Sequence, residues 1–545
     1  MLFNSYTFIL LFLPATVLGY WRIGQGGSPG GAATWGCGAL CALLLALMGG
    51  DPGQPAAVAL RLAVTFPMVM AALLLLPRLL GAVRAGIAWL VLVSLVFYGW
   101  WSLEDLGLIL VLTLFNFAMG RWQSRHWERH GRGHKAGLIA GLGLDLAVLG
   151  YFKYTDLALL TINVLAGSEI PLQHIILPLG ISFYTFQKIA FLVDSYHGQT
   201  RGFGFLDYCL FVMFFPQLIA GPIVHHRDVI KQFAALSGRL KGEDLAVGTT
   251  LFVFGLFKKV VIADAIAPTV DAIYGAAEGR PLTGGEAWVG VLAYAGQLYF
   301  DFSGYSDMAI GLARMFSIRL PMNFNSPYQA RDVVEFWSRW HMTLSRFLRD
   351  YLYFPLVGRS RAFARHQAAV FTTMLLGGLW HGAGWTFVAW GALHGLYLVI
   401  NHQWRAQRKR WGWTSPGRTA ALLGWAITFL AVVTSFTFFR ATSMQAALSM
   451  LQSMFGLSAA VPNGGRALFT GNDLAIIAGV LLMAFTMPNV QRLMCHAQPV
   501  LDHTLVKPCR VAWSRSVAWG LVTGVLALVA LQSLTRPSAF LYFQF

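Results

Sequence analysis

The sequence contains little charge for its length. Only 12% of its 545 residues are charged, about half the fraction found in soluble domains, and 57% are hydrophobic. This composition excludes an ordinary water-soluble enzyme. Ten-residue segments of alternating hydrophobicity, the pattern of a membrane β-barrel, are lacking as well. We therefore predict an all-α polytopic membrane protein that folds as a single integral membrane domain.

Cysteine is also scarce, and its spacing indicates no chemistry. The five cysteines form no CxxC motif and no metal-type pairing with histidine. We interpret them as small packing residues and expect neither a disulfide framework nor a metal site. A GxSxG motif, which would supply a serine nucleophile, is missing too.

The charge that is present is mostly positive, and the formal net charge is +17 at pH 7. Positive residues cluster in short loops, at 121–135, 359–365 and 405–410. That distribution follows the positive-inside rule, and attraction to anionic membrane lipids accompanies it. Nucleic-acid binding is therefore not expected.

Apolar runs divide the chain into membrane segments, and we expect about 11–14 membrane helices plus re-entrant or amphipathic ones. The apolar runs lie near 2–20, 33–49, 57–77, 85–101, 106–120, 137–152, 155–167, 174–196, 205–224, 245–268, 286–316, 367–402, 417–440, 472–489 and 516–535.

The flanking charges of the first spans indicate an orientation. No positive residue precedes the first span and Arg22 follows it, the opposite of a cleavable signal peptide, so we expect a retained helix. Loops after the first, third and fifth spans are basic, whereas those after the second and fourth carry Asp51 and Glu104. We predict that the N-terminus lies outside the cytoplasm.

Prolines and glycines interrupt the middle of the chain, among them Pro178, Pro216 and Pro222. Broken helices at membrane depth are tolerated only where protein or a water-filled cavity covers the backbone. We therefore expect this region to enclose a cavity.

Residues 331–350 (RDVVEFWSRWHMTLSRFLRD) hold seven charges, which no lipid-facing helix tolerates. Helical spacing places Trp337 and His341 on one face, and Arg339 and Arg346 on another. We predict an amphipathic or re-entrant helix at the cytoplasmic side. Its arginines could bind an anionic ligand such as nucleotide phosphates, or face solvent and lipid headgroups, and both interpretations stay open.

His381 lies among four glycines in the apolar stretch 377–384. Two interpretations apply: a glycine patch for helix packing with one hydrogen-bonded histidine, or a functional interior. A histidine can accept and return a proton near neutral pH, and His341 could orient a hydroxyl or stabilise an oxyanion. We interpret His394 as a packed or helix-capping residue.

The motifs resemble those of the membrane-bound O-acyltransferases, specifically the bacterial alginate O-acetyltransferases and the D-alanyl-transfer protein of teichoic acids. The resemblance covers nearly the whole chain, and its motifs are specific in combination. They are 178–187 (PLGISFYTFQ), 214–216 (FFP), 220–223 (AGPI), 299–309 (YFDFSGYSDMA), 323–328 (NFNSPY), 336–337 (FW) with His341, 380–382 (WHG) and 540–545 (FLYFQF).

This resemblance implies a helical bundle around a central funnel or tunnel, with N-terminal helices in 1–135, a catalytic core in 136–402 and C-terminal helices in 403–545. It implies that His381 and His341 are catalytic. Candidates for binding the donor or lining the tunnel are Trp337, Trp340, Arg339, Arg346, Trp380, Asp307 and Asn325.

The resemblance further implies acetyl-CoA as the cytoplasmic donor and a location in the bacterial inner membrane. The acetyl group is expected to reach an extracytoplasmic polysaccharide directly or through a periplasmic SGNH-type acyltransferase.

Two functions without chemistry remain as alternatives: a transporter or flippase for lipid-linked sugars, and a structural subunit of a polysaccharide export complex. Broken helices and buried polar residues fit a transporter equally well. Asp194, Asp301 and Asp307 would then be coupling carboxylates. In an enzyme, we expect them to be hydrogen-bonding struts instead.

Overall fold

A computed structural model describes residues 2–25, 31–48, 55–234, 236, 239–413, 417–458, 468–502, 509–534 and 540–541. The side chains of 55–60 are not described. Residues 542–545 of the closing motif lie outside the described residues. Every regular element in the described part of the chain is helical, which confirms the all-α prediction.

The helices are numbered in chain order. The N-terminal half contains α1 (Leu13–Gly24), α2 (Ala32–Met48), α3 (Pro55–Gly99), α4 (Leu103–His130), α5 (Lys135–Ala166), α6 (Ile181–Tyr196), α7 (Phe205–Met213), α8 (Phe215–Leu218), α9 (His226–Ala234), α10 (Gly242–Phe257) and α11 (Asp264–Gly279). The C-terminal half contains α12 (Gly284–Met315), α13 (Val333–Trp337), α14 (Met342–Leu348), α15 (Phe354–Val357), α16 (Phe363–His381), α17 (Trp385–Arg410), α18 (Arg418–Arg440), α19 (Met444–Met454), α20 (Gly471–Thr486), α21 (Val490–Leu493) and α22 (Val517–Ser533).

Six helical segments of the described chain are long and apolar enough to cross a membrane, and three shorter apolar helices accompany them. The six are Thr7–Gly24, Arg61–Gly99, Leu103–His130, Lys135–Ala166, Gly242–Gly279 and Arg418–Arg440. The chain is therefore a multi-pass membrane protein. The total of 11–14 membrane helices stays a prediction.

Two pairs of neighbouring predicted spans each fall within a single helix, but only one of the pairs is separated by a kink. The spans 57–77 and 85–101 lie within α3, which kinks at Gly81, where φ is +73°. By contrast, the predicted division between 137–152 and 155–167 is wrong, because α5 runs without a break from Lys135 to Ala166. No proline or turn residue stands at this division. Only the polar side chains of Lys153 and Asp156 lower the local hydropathy.

The predicted span 174–196 is shorter than expected. Its first residues are not helical, and α6 begins at Ile181 after Gly180, which adopts a left-handed φ of +72°. A Cβ at Gly180 would lie 2.9 Å from the carbonyl oxygen of Leu218, so the backbone passes close to the similarly broken segment after α8. Both interruptions expected from Pro178 and Pro216 are therefore present.

Helix α12 is the centre of the fold, since every residue from Ala293 to Met315 is buried. It packs closely on α10 through paired glycines. A Cβ at Gly255 would lie 2.5 Å from the carbonyl oxygen of Gly304, and one at Gly248 would lie 2.6 Å from that of Gly311. Such contacts allow two backbones to approach closely, as small residues do between membrane helices.

Buried ion pairs reinforce this centre. Lys259 Nζ lies 2.5 Å from Asp301 Oδ1, and Lys258 Nζ lies 2.6 Å from Asp307 Oδ2. Asp194 is likewise paired, with His226 at 3.2 Å and Arg227 at 3.4 Å. Pairing compensates for the burial of these carboxylates, as expected for structural struts.

Helices α16 and α17 form a tight antiparallel hairpin whose tip is residues 382–384. Near the tip Gly378 faces Gly391: a Cβ on Gly378 would clash with the carbonyl oxygen of Phe387 and lie 2.8 Å from Gly391 Cα. The sequence interpretation of a glycine packing patch is correct for these residues. It does not compete with a functional role for His381, which the same packing places at the end of α16.

The Gly378→Ala variant is expected to lose about 1–3 kcal/mol of stability, because the added methyl group must push two backbones apart. Thermal unfolding of detergent-solubilised protein would measure the loss. Gly479→Ala is the matched control, since a Cβ at Gly479 meets nothing within 4 Å. Equal melting temperatures for the two variants would contradict the close contact.

Candidate active site

His381 ends α16 and is buried, with 5% of its surface exposed. Its Nδ1 lies 2.6 Å from the carbonyl oxygen of Gly377. A carbonyl only accepts, so Nδ1 carries the hydrogen and Nε2 is the basic nitrogen of the neutral ring. Trp380 and Trp390 pack edge-on against the imidazole, each at a centroid distance of 4.9 Å. The ring is therefore fixed in orientation and tautomer.

The glycine after His381 is required by packing. Gly382 has an extended backbone that any residue could adopt, but a Cβ there would clash with the ring of Phe387. The close approach of Phe387 closes the hairpin tip beside His381.

His341 lies at a break that the sequence did not predict. Residues 331–350 are not one amphipathic helix: α13 ends at Trp337 and α14 begins at Met342, with His341 between them at a φ of +42°. Two backbone hydrogen bonds hold the break, from Met342 N to the carbonyl oxygen of Asn323 and from Asn325 N to that of Arg339, both 2.9 Å. The predicted helix fails because contacts with a distant segment outweigh local periodicity.

Asn323 also fixes the ring of His341. Its Oδ1 accepts from His341 Nδ1 at 3.0 Å and from Thr343 Oγ1 at 2.8 Å, while its Nδ2 donates to Ser306 Oγ at 3.0 Å. Nε2 is therefore the basic nitrogen of His341, as it is of His381. Phe302 packs edge-on against the ring at 4.8 Å.

The two histidines influence each other electrostatically. His341 lies between two short helices, outside the candidate membrane spans, and burial lowers its pKa well below the usual 6.5. A positive charge on His381 lowers the pKa of His341 further. The structure thus brings both predicted histidines into one buried site, where they do not favour being charged together.

His394 is a packed histidine, as its interpretation from sequence proposed. Trp337 Nε1 donates to His394 Nδ1 at 3.2 Å, and His394 Nε2 lies 2.9 Å from Ser435 Oγ. Both ring nitrogens are occupied by structural hydrogen bonds. The residue supports the wall behind His381 and is not placed for proton transfer.

The predicted tryptophans surround the histidines. Trp337 packs against Trp390 at 5.9 Å, Trp340 packs edge-on against Phe324 at 5.1 Å, and Trp380 adjoins His381. These rings form an aromatic wall in the same buried region, and their role in lining a tunnel stays a prediction.

The predicted polar candidates have structural partners. Arg339 pairs with Glu335 at 2.7 Å and Arg346 pairs with Asp228 at 2.8 Å. Asp307 binds Lys258 and Gln491, and Asn325 Oδ1 accepts from Asn489 Nδ2 at 3.0 Å. Arg339 and Arg346 keep 28% and 36% of their side chains exposed, and a role of these four residues in the donor site or the tunnel stays a prediction.

Sequence reasoning missed two residues that contact the histidines: Asn323 and Lys153. Asn323 belongs to the motif 323–328, from which the sequence predicts only Asn325 as a site residue. Lys153 is a lysine within an apolar run, which is itself a signal of function. Its Nζ lies 2.5 Å from the carbonyl oxygen of Trp380 and 3.2 Å from that of His381.

A pocket of about 80 Å³ adjoins His381. Its lining includes Lys153, Ser182, Phe183, Trp380 and His381, together with residues 177–180. The pocket thus places a basic nitrogen, a hydroxyl and an amino group around one small space. No group of three or more metal-ligating side chains occurs in the described parts of the chain.

Fold and site together define an integral membrane enzyme with a buried histidine pair suited to general base chemistry. Comparison with known proteins specifies the class. The model of the membrane-bound O-acyltransferase family, MBOAT, matches residues 172–441. A peptidoglycan O-acetyltransferase of Helicobacter pylori is 37% identical, covering 84% of this chain and 91% of the relative.

Two further relatives are similar to the chain. A probable alginate O-acetylase AlgI of Pseudomonas putida is 38% identical over 84% of this chain and 94% of the relative. A teichoic acid D-alanyltransferase of Streptococcus thermophilus is 29% identical over 48% of this chain and 68% of the relative. The chain belongs to the membrane-bound O-acyltransferase family and is an O-acyltransferase.

Proposed function

We propose that this protein transfers an acetyl group from cytoplasmic acetyl-CoA to a hydroxyl group destined for an extracytoplasmic polysaccharide. The acetyl group reaches the polysaccharide directly or through a periplasmic acyltransferase of the SGNH type. The names of the O-acetyltransferase relatives support acetyl as the group and a cell-surface glycan as the acceptor. The observation that carries the proposal is the buried pair His381 and His341, each with Nδ1 occupied and Nε2 basic.

In the proposed reaction, His381 Nε2 removes the proton from the acceptor hydroxyl while its oxygen attacks the thioester carbonyl carbon. A C–O bond forms, and the resulting tetrahedral intermediate then breaks its C–S bond. The thiolate leaves and takes the proton back from the imidazolium, so the ring returns to its neutral form. We propose that His341 Nε2 accepts a hydrogen bond from a second, neighbouring hydroxyl of the acceptor, which orients the acceptor, and that the ring stays neutral throughout.

Water exclusion is the second requirement, because a thioester in an open site would be lost to hydrolysis. Trp380 and Trp390 enclose His381, and Phe302 covers His341. We propose that the same aromatic wall lines a tunnel from the donor side to the acceptor side.

Donor recognition is proposed for Arg339 and Arg346. Both are partly exposed, and a guanidinium that is paired with one carboxylate at the surface can exchange it for phosphate. The basic residues at 121–135, 359–365 and 405–410, most of which the structure places at helix ends, support a cytoplasmic donor side and an N-terminus outside the cytoplasm, in the inner membrane.

The experiment uses purified protein in nanodiscs and follows CoA release from acetyl-CoA. Parallel reactions contain an alginate-type oligosaccharide, a peptidoglycan fragment or no acceptor. Faster CoA release with one acceptor, together with acetylation of that acceptor, supports the proposal and identifies the acceptor class. Binding of glycan without any CoA release from acetyl-CoA contradicts it and favours the transporter alternative.

A further inference from the structure

Lys153 occupies an unusual position for a lysine. It lies within α5, a candidate membrane span, and only 8% of its surface is exposed. A lysine at such a depth is costly unless its amino group is hydrogen-bonded, and an intramembrane ionisable residue is usually retained for function. None of the ion pairs formed by the described residues includes Lys153.

The partners of Lys153 lie at the end of α16. Its Nζ donates to the carbonyl oxygens of Trp380 and His381, and Ser182 Oγ lies 3.5 Å away. The next residue of α5 continues the pattern, since Tyr154 Oη donates to the carbonyl oxygen of Leu379 at 2.9 Å. Two consecutive residues of α5 thus donate hydrogen bonds to three consecutive carbonyl oxygens of α16.

Those carbonyls need external donors. The last carbonyls of a helix have no intrahelical partner, and here the chain turns extended at Gly382 instead of adding a capping turn. A cation is also favoured at a helix C-terminus by the helix dipole. Lys153 therefore caps the turn of backbone that carries the His381 ring.

The position of this cap along α5 is informative. Lys153 is 18 residues beyond Lys135, which corresponds to about 27 Å along a helix. It is 13 residues from Ala166, slightly past the middle of α5, and it lines the small pocket beside His381. The pocket is therefore separated along α5 from the basic residues at 121–135, which we assign to the donor side.

We propose that Lys153 is a positioning residue for acyl transfer. By holding the carbonyls of Trp380 and His381, it keeps the His381 ring in the wall of the pocket that receives the acceptor hydroxyl. This inference rests on the proposed acetyl transfer, and it assigns the pocket formed by Lys153, Ser182 and His381 to the acceptor side.

The test compares Lys153→Ala with Lys135→Ala in nanodiscs. Lys135 is an exposed lysine at the start of the same helix and touches no part of the site. We expect Lys153→Ala to lower kcat by roughly tenfold, since a slightly misplaced base is inefficient, with the KM for acetyl-CoA changed by less than about twofold. Rates are expressed per folded protein, measured by size-exclusion chromatography.

Chemical rescue provides a readout that a merely structural role would not change. Alanine leaves space where the lysine side chain was, so millimolar methylammonium is expected to restore kcat by filling that space and donating to the same carbonyls. Tetramethylammonium has the charge but no N–H group and is expected to give no rescue.

Three results would overturn the inference. They are full activity in Lys153→Ala, rescue by tetramethylammonium as effective as by methylammonium, or failure of Lys153→Ala to fold, which would make Lys153 a folding residue. If the wild type itself transfers no acetyl group, the proposed function fails instead. The wild-type reaction therefore separates the two outcomes.

Discussion

Replacing His381 with alanine is expected to lower kcat for acetyl transfer by about 10³-fold, within the range of general base catalysis. The donor KM should stay nearly unchanged, because the ring acts on the hydroxyl proton and contributes little to binding of the thioester. In His381 the basic nitrogen is Nε2, because Nδ1 donates to the carbonyl oxygen of Gly377. The alanine variant lacks the ring and therefore has no base at this position.

The matched control is His402→Ala. His402 lies on α17 of the same helical hairpin and is half-buried, but it takes no part in the site. Both variants should show the same amount of folded protein and the same acetyl-CoA affinity by isothermal titration calorimetry. If His381→Ala and His402→Ala turn over at equal rates, His381 is not the base.

Replacing His341 with alanine is expected to lower kcat by on the order of 10²-fold, the size of effect seen when one positioned polar group is removed from an active site. Steady-state rates of CoA release measure this loss, with the exposed His197→Ala as control. An unchanged kcat in His341→Ala would contradict a catalytic role and show that this histidine only contributes to packing.

The pH dependence of the wild type gives an independent check on His341. Burial lowers its pKa well below 6.5, so the ring stays neutral as the pH falls through 6.5. Activity should therefore persist below pH 6.5 and decline only in more acidic buffer. A decline centred near 6.5 would indicate that the pair is not buried in the active protein.

The fold class followed from the low charge content and from the lack of alternating ten-residue segments, because only helices and closed barrels satisfy their backbone within a membrane. The boundaries of the membrane spans were harder to predict from the sequence. The sequence suggested a division between two spans near Lys153, since polar residues there resemble a membrane interface. In the structure those residues lie inside one helix, and Lys153 is satisfied by carbonyls more than 220 residues away in sequence.

Local sequence patterns also predict only part of the candidate site. His381 and His341 stood out as ionisable residues in apolar or amphipathic surroundings, and the structure brings them together. Helical periodicity could not reveal that His341 adopts a left-handed conformation, because Asn323 imposes it from another segment. Local patterns predict elements, whereas the partners that orient a catalytic ring depend on tertiary contacts.

The central claim is that an acetyl group passes from one side of a membrane to the other at His381. Its most direct test uses sealed proteoliposomes with acetyl-labelled acetyl-CoA on the side of the basic residues at 121–135. The acceptor glycan, together with a periplasmic SGNH-type acyltransferase, is on the opposite side. We expect label on the glycan with wild-type protein and none above background with the same amount of His381→Ala. Label on the glycan at the wild-type rate in His381→Ala vesicles would contradict the claim.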